Sequence, residues 1–222
     1  MSSARAAWAI YRGEPAATRL HALVRALTCP FAPLLECFPS GGAALDVGCG
    51  HGLLVNLLAS DPSRSGLRLH GIDHDADKIA VARRCAPPGV EFSNRALRAL
   101  PASAFDAVSI VDVLYTVRRE VWNEILTGCA RVLRPGGRLI LKEVVDRPRW
   151  KYWAIMAQEA LSVRVFGITK GERPHFESPG TYRRALEQAG LAVVAARPLH
   201  SANWVSHYLL VARKPLDARP CR

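Results

Sequence analysis

The stretch AALDVGCGHGLLVNLLA, residues 43–59, decides the fold. AALDVG (43–48) is a short apolar run that reads as a buried strand, and Leu53–Ala59 reads as a helix. Gly48, Gly50 and Gly52 alternate through the turn between them. Glycines at that place let the chain turn tightly and bring backbone close to a ligand. The next strand, LRLHGID (67–73), alternates and ends in Asp73. A carboxylate roughly twenty residues beyond such a turn can accept both hydroxyls of a ribose. The two features together predict a nucleoside-containing cofactor over the C-terminal edge of a parallel sheet.

Outward from this unit, strands and helices keep alternating. Asp75–Cys85 reads as a helix with Ile79 and Ala82 on one face, stopped by Pro87-Pro88-Gly89. VEF (90–92) and Phe105–Val111 read as strands. Glu120–Leu133 reads as an amphipathic helix ended by Pro135-Gly136-Gly137, and Arg138–Val145 as a strong strand. Such a βαβαβ series predicts a parallel sheet with helices on both faces. Upstream, Ala17–Leu27 and Ala32–Phe38 read as helical, interrupted by Pro30 and Pro33. Downstream, Trp150–Phe166 reads as a helix and ITKGERPHFESPG (168–180) as a loop. Ser178-Pro179 opens a further helix that runs to Gln188 and closes on Gly190. LAVVAARP (191–198) and WVSHYLLVARK (204–214) read as strands joined by LHSAN. That connection is too short for a parallel crossover, so the sheet ends in an antiparallel hairpin.

The chain has 222 residues, half of them hydrophobic and 22% charged, which excludes wholesale disorder and fits one domain with additions. No apolar run approaches the ~18–20 residues of a bilayer span. MSSARAAWAIYRGEP has no unbroken apolar core of a secretory leader, so a cytoplasmic location is expected. The cysteines at 29, 37, 49, 85, 129 and 221 lack paired zinc-ligand spacing. Free thiols and no metal are therefore expected. Thirty Lys and Arg against 19 Asp and Glu give a net charge of +11. That charge favours anionic partners such as nucleic acid, acidic protein, anionic lipid or a phosphorylated substrate. Since 25 of the 30 basic residues are Arg, amid many Ala, Gly and Pro, a GC-rich coding sequence accounts for the same bias.

The dinucleotide fingerprint G-x-G-x-x-G/A needs Gly or Ala at position 53, where Leu53 stands. The pattern Asp46-x-Gly48-x-Gly50-x-Gly52 instead resembles motif I of the class I S-adenosylmethionine-dependent methyltransferases. GIDHDADKIAVARR (71–84) is similar to their second motif, and FDAVSIVDVLYTV (105–117) to the fourth strand and the turn after it. RVLRPGGRLIL (131–141) is similar to the helix, turn and fifth strand, and SPGTYRRALEQAGL (178–191) to the last helix before the hairpin. The similarity covers roughly residues 40–214. It implies a doubly wound, mostly parallel seven-stranded α/β sheet and S-adenosylmethionine as cofactor. Asp46, Asp112 and the Gly48, Cys49 and Gly50 backbone then belong to the cofactor site, with Asp73 on the ribose and His74 beside the adenine. Many relatives carry an acidic residue after the third strand. SNRALRALP (93–101) has none, and Asn94 is the candidate in its place.

Residues 1–39 then form a helical extension over the substrate, 40–214 the methyltransferase domain with a lid insertion at 146–177, and 215–222 a tail. Tyr115, Glu143 and His175 are the candidates for acid–base chemistry. The segment Asp112-Val113-Leu114-Tyr115 lacks the [DN]-P-P-[FY] signature of nucleobase amino-methylation. The lid carries Trp150, Tyr152, Trp153 and Phe166 among Arg147, Arg149, Lys151, Arg164, Lys170 and Arg173. Such a surface suits an aromatic, acyl or anionic small molecule, an acidic carrier protein, or an anionic membrane surface. The expected function is O- or C-methylation of a small organic acceptor in secondary metabolism, since the lid region resembles most closely, though loosely, small-molecule methyltransferases of bacterial secondary metabolism. RNA methylation and a non-catalytic cofactor-binding scaffold are the rival readings.

Overall fold

The computed structural model describes residues 2–145, 176–199 and 206–216. The helix expected at Trp150–Phe166, His175 and nearly all of the lid insertion lie outside the described residues.

Seven strands form one sheet: β1 Gly41–Val47, β2 Gly66–Ile72, β3 Glu91–Ser93, β4 Phe105–Val111, β5 Leu133–Val144, β6 Ala192–Leu199 and β7 His207–Arg213. Their order is β3-β2-β1-β4-β5-β7-β6. The first five are parallel, and β7 runs antiparallel to both β5 and β6. The expected mostly parallel sheet with a C-terminal antiparallel pair is what forms. Strand order reverses between β1 and β4, the place where open α/β sheets leave a crevice for ligands.

Alternation along β1 shows why both faces are covered. Leu45 and Val47 enter one apolar cluster, with Trp122, Leu126 and Cys129 of α6 (Trp122–Val132) and Leu186 of α7 (Pro179–Gln188). Ala44 enters the other, with Leu54 and Leu58 of α4 (Leu53–Ala59) and Ile79 of α5 (Ala76–Cys85). Asp75 caps α5, accepting the Asp77 and Lys78 amides at 3.0 and 3.2 Å.

Three helices precede β1: α1 Ser3–Ile10, α2 Ala16–Thr28 and α3 Phe31–Leu35. The sequence reading has no α1. This helix buries only Ala6 and Ala7, residues too small to leave a strong periodic signal. Pro135-Gly136-Gly137, read as a terminator before β5, lies inside that strand. Pairing with β4 jumps from Phe105↔Leu133 to Ala107↔Arg138, so the tripeptide bulges out of register. Backbone bonds to Lys214 hold the bulge: the Gly136 amide donates to the Lys214 carbonyl at 2.9 Å, and the Lys214 amide to the Gly137 carbonyl at 2.9 Å. Among the described residues no helix is long and apolar enough to cross a membrane.

Candidate active site

The turn after β1 rises on three glycines in the left-handed region, with φ of +74° at Gly48, +55° at Gly50 and +83° at Gly52. A Cβ at Gly48 would stand 2.5 Å from Val113, so only glycine lets the turn pass beneath the loop after β4. A Cβ at Gly50 would meet nothing within 4 Å, so its backbone borders open space. Asp73, just past β2, fastens this turn. Its Oδ2 accepts the Gly50 amide at 2.8 Å and its Oδ1 the Asp75 amide at 2.9 Å.

Behind the turn, Asp46 is buried and accepts the Ser109 hydroxyl at 2.6 Å. Burial pushes its carboxyl up to about 7 against the pull of that hydrogen bond. In front lies a cavity of about 290 Å³, walled by Asp46, Gly48, Cys49 and Gly50 together with Asp112 and Tyr115. The opposite wall is built by the N-terminal helices, through Tyr11, His21 and Arg25. The Tyr11 hydroxyl donates to the His51 carbonyl at 2.7 Å, and the His21 and His51 rings meet edge-on with centroids 5.2 Å apart. Burial, then the neighbouring His51 and Arg25, bring His21 down to about 4. None of Tyr11, His21 and Arg25 is marked by a sequence motif.

Asp112 follows β4 with φ +58°, a strained conformation for a residue with a side chain. Lys142 of β5 reaches both its oxygens at 2.6 Å, and Arg25 Nη1 reaches Oδ2 at 2.5 Å. Burial works to raise this carboxyl, but Lys142 and Arg25 outweigh it and hold the group well below the ordinary carboxylate range. Tyr115 stands on the cavity wall with its ring 5.1 Å from that of Phe176.

The other sequence candidates lie elsewhere. Glu143, a candidate for acid–base chemistry or for a structural ion pair, is wholly buried and is not part of the cavity wall. Its Oε1 accepts the Val113 and Leu114 amides at 3.1 and 2.9 Å, so it shapes the turn carrying Asp112 and Tyr115. The His74 side chain is 93% exposed, with Nδ1 3.4 Å from Asp73. Asn94 is exposed beyond β3 and also does not line the cavity.

Burial, and then the charge on Asp112, push Glu143 up to about 8 from its ordinary 4.5. The folded state therefore takes up a proton on Glu143. That contribution to stability is full below the unfolded value and drains as pH rises toward about 8. Glu143→Gln, which cannot titrate, is expected to gain stability relative to the unaltered chain between pH ~5 and ~8. Thermal unfolding across that range checks this, and a pH-independent difference would contradict it.

A methyltransferase-domain family model matches residues 44–137. The chain is 31% identical over 185 residues to the ubiquinone biosynthesis O-methyltransferase of Xanthomonas axonopodis pv. citri (strain 306), an alignment spanning 81% of this chain and 74% of that protein. The chain belongs to the class I S-adenosylmethionine-dependent methyltransferases. This methyltransferase is also 29% identical over 177 residues to an S-adenosyl-L-methionine-dependent Diels-Alderase of Talaromyces variabilis, spanning 72% of this chain and 56% of that protein. In fold it is similar to a SAM-dependent methyltransferase of Methanosarcina mazei, with a TM-score of 0.65 and 22% identity, over 84% of this chain and 98% of that one. It is thus an enzyme whose cofactor is S-adenosylmethionine.

Proposed function

We propose that this methyltransferase methylates a hydroxyl oxygen of a small organic acceptor, a hydroxylated ring being the first to try. The observation that carries the reading is the O-methyltransferase relative aligned over three-quarters of its own length. That relative's name also favours quinone-type precursors over the secondary metabolites suggested by the sequence.

The cavity residues suit the cofactor. The open space at Gly50 leaves room for a ligand against bare backbone, and Asp73 keeps lone pairs for ribose hydroxyls beyond the two amides it accepts. We assign the ribose to Asp73, the adenine to the side of His74 and Asn94, and the amino-acid end to Asp46, Asp112 and the Gly48–Gly50 backbone. The cofactor supplies a methyl group already carried on a good leaving group. The chain's task is to align the acceptor oxygen with that methyl and to keep water out, for which orientation alone is worth up to about 7–11 kcal/mol. Tyr115 and the N-terminal wall of Tyr11 and His21 hold the acceptor and cover the site. No assigned step requires Glu143.

Incubation with methyl-labelled S-adenosylmethionine and either catechol or bulk RNA tests the reading. Label recovered as an aryl methyl ether is expected. Label recovered in RNA, or in neither, would overturn it.

A further inference from the structure

Four of the six large apolar side chains exposed among the described residues stand on two packed helices: Trp8 on α1, and Leu20, Val24 and Leu27 on α2. The other two, Val194 on β6 and Leu216 after β7, stand singly, as surface apolar residues ordinarily do. Helix α2 is turned the wrong way round for a helix that faces water. It buries Ala22 and Ala26, while Leu20 and Leu27 are 57% and 63% exposed. Leu20, Val24 and Leu27 recur at i, i+4 and i+7, so they form one stripe about 10 Å long. A helix that gives its alanines to the core and its leucines to the outside has a second apolar surface to meet.

The border of the stripe is cationic. Residues 2–28 hold Arg5, Arg12, Arg19 and Arg25 against one carboxylate, Glu14. Glu14 is held by Arg84 at 2.7 Å, and Arg25 is held by Asp112. Arg5, Arg12 and Arg19 form no ion pair among the described residues. Arg5 shares a face of α1 with Trp8, three positions on, and the Arg19 guanidinium lies 4.1 Å over the Trp8 ring. That contact joins the tryptophan to α2 and leaves the charge of Arg19 unneutralised. Aliphatic side chains flanked by tryptophan and arginine are the composition of a helix that lies in the interface of an anionic bilayer. A second copy of this chain would bring the same unpaired arginines against these, at a cost in repulsion.

We propose that α1 and α2 dock the enzyme on an anionic lipid surface, with Leu20, Val24 and Leu27 entering the interface and Arg5, Arg12 and Arg19 meeting the headgroups. No crossing of the bilayer is involved. His21 and Arg25, which line the cavity, each follow a stripe residue by one position, about 100° round the helix. The bilayer is therefore held on the face of α2 that adjoins the cavity wall.

Co-sedimentation of the full chain with vesicles tests this. Vesicles of equal phosphatidylcholine and phosphatidylglycerol are expected to bind it at least about tenfold more tightly than phosphatidylcholine alone, the difference shrinking as salt is raised. Leu20→Gln combined with Leu27→Gln keeps every charge and is expected to weaken binding to the mixed vesicles at least about tenfold. Arg5→Gln combined with Arg12→Gln keeps the stripe and is expected to weaken it by a similar factor. Both pairs are exposed, so unfolding midpoints are expected to stay put, and Val194→Gln is expected to leave binding unchanged. Equal binding to both vesicles, or to neither, would overturn the proposal. So would undiminished binding of the leucine variant, which would mean adsorption by net charge or docking through residues 146–175. A dimer in sedimentation velocity that the leucine variant dissociates would give the stripe to a second copy and overturn it as well.

Discussion

Asp73→Ala is expected to weaken binding of S-adenosylhomocysteine at least about tenfold, by more than any other single substitution in the turn region. The carboxylate has two tasks on opposite sides. It accepts the Gly50 and Asp75 amides, which fixes the glycine turn against the end of β2. Its remaining lone pairs are the ones assigned to the ribose hydroxyls. Hydrogen bonds to a charged acceptor are worth about 1.5–3 kcal/mol each, so loss of the ribose contacts alone exceeds the 1.4 kcal/mol of a tenfold change. Loosening of Gly50 adds to it. Asp73→Asn, which keeps an acceptor oxygen for one amide, is expected to fall between the two. Calorimetric titration checks the series, and an unchanged affinity for Asp73→Ala would remove the ribose from this residue.

Trp122→Ala is expected to be the most destabilising single change, by about 3–5 kcal/mol, the usual cost of truncating a buried tryptophan. Trp122 is 3% exposed and stacks on the fully buried Tyr182 of α7, with rings 5.0 Å apart and 13° from parallel. Its indole nitrogen donates to the Leu114 carbonyl at 2.9 Å. The substitution therefore empties part of the core and frees the turn that Glu143 fastens from the other side. Denaturant unfolding measures the cost. Methyl transfer by the surviving folded fraction should fall as well, because that turn carries Asp112 and Tyr115. A loss of stability below about 1 kcal/mol would show that the stacked pair is not the anchor of this face.

The cofactor half of the site is legible in the sequence because it is local. Asp46, the glycine turn and Asp73 belong to one βαβ unit, where chain spacing alone sets their distance. The other half is not local. Arg25 meets Asp112 across 87 positions, and Tyr11 meets His51 across 40. Their arrival depends on how α1 and α2 pack over the sheet edge, which no spacing encodes. Strand alternation explains the different fate of Glu143. Neighbours on β5 face opposite ways, so Lys142 turns toward α2 and the cavity side. Glu143 turns toward α6 and α7, beneath the turn after β4. A charged residue near the C-terminal end of a strand points at the ligand on one face only. Pro135-Gly136-Gly137 shows the same limit: its composition announces a break, but pairing with β4 and the backbone of Lys214 absorbs it as a bulge.

The most direct measurement is the crystal structure of the complex with S-adenosylhomocysteine. The account predicts the ligand in the cavity between the glycine turn and α2, with both ribose hydroxyls on Asp73 and the amino-acid end beside Asp46, Asp112 and the Gly48–Gly50 backbone. A ligand bound elsewhere on the chain, or in this cavity with its ribose turned away from Asp73, would contradict it.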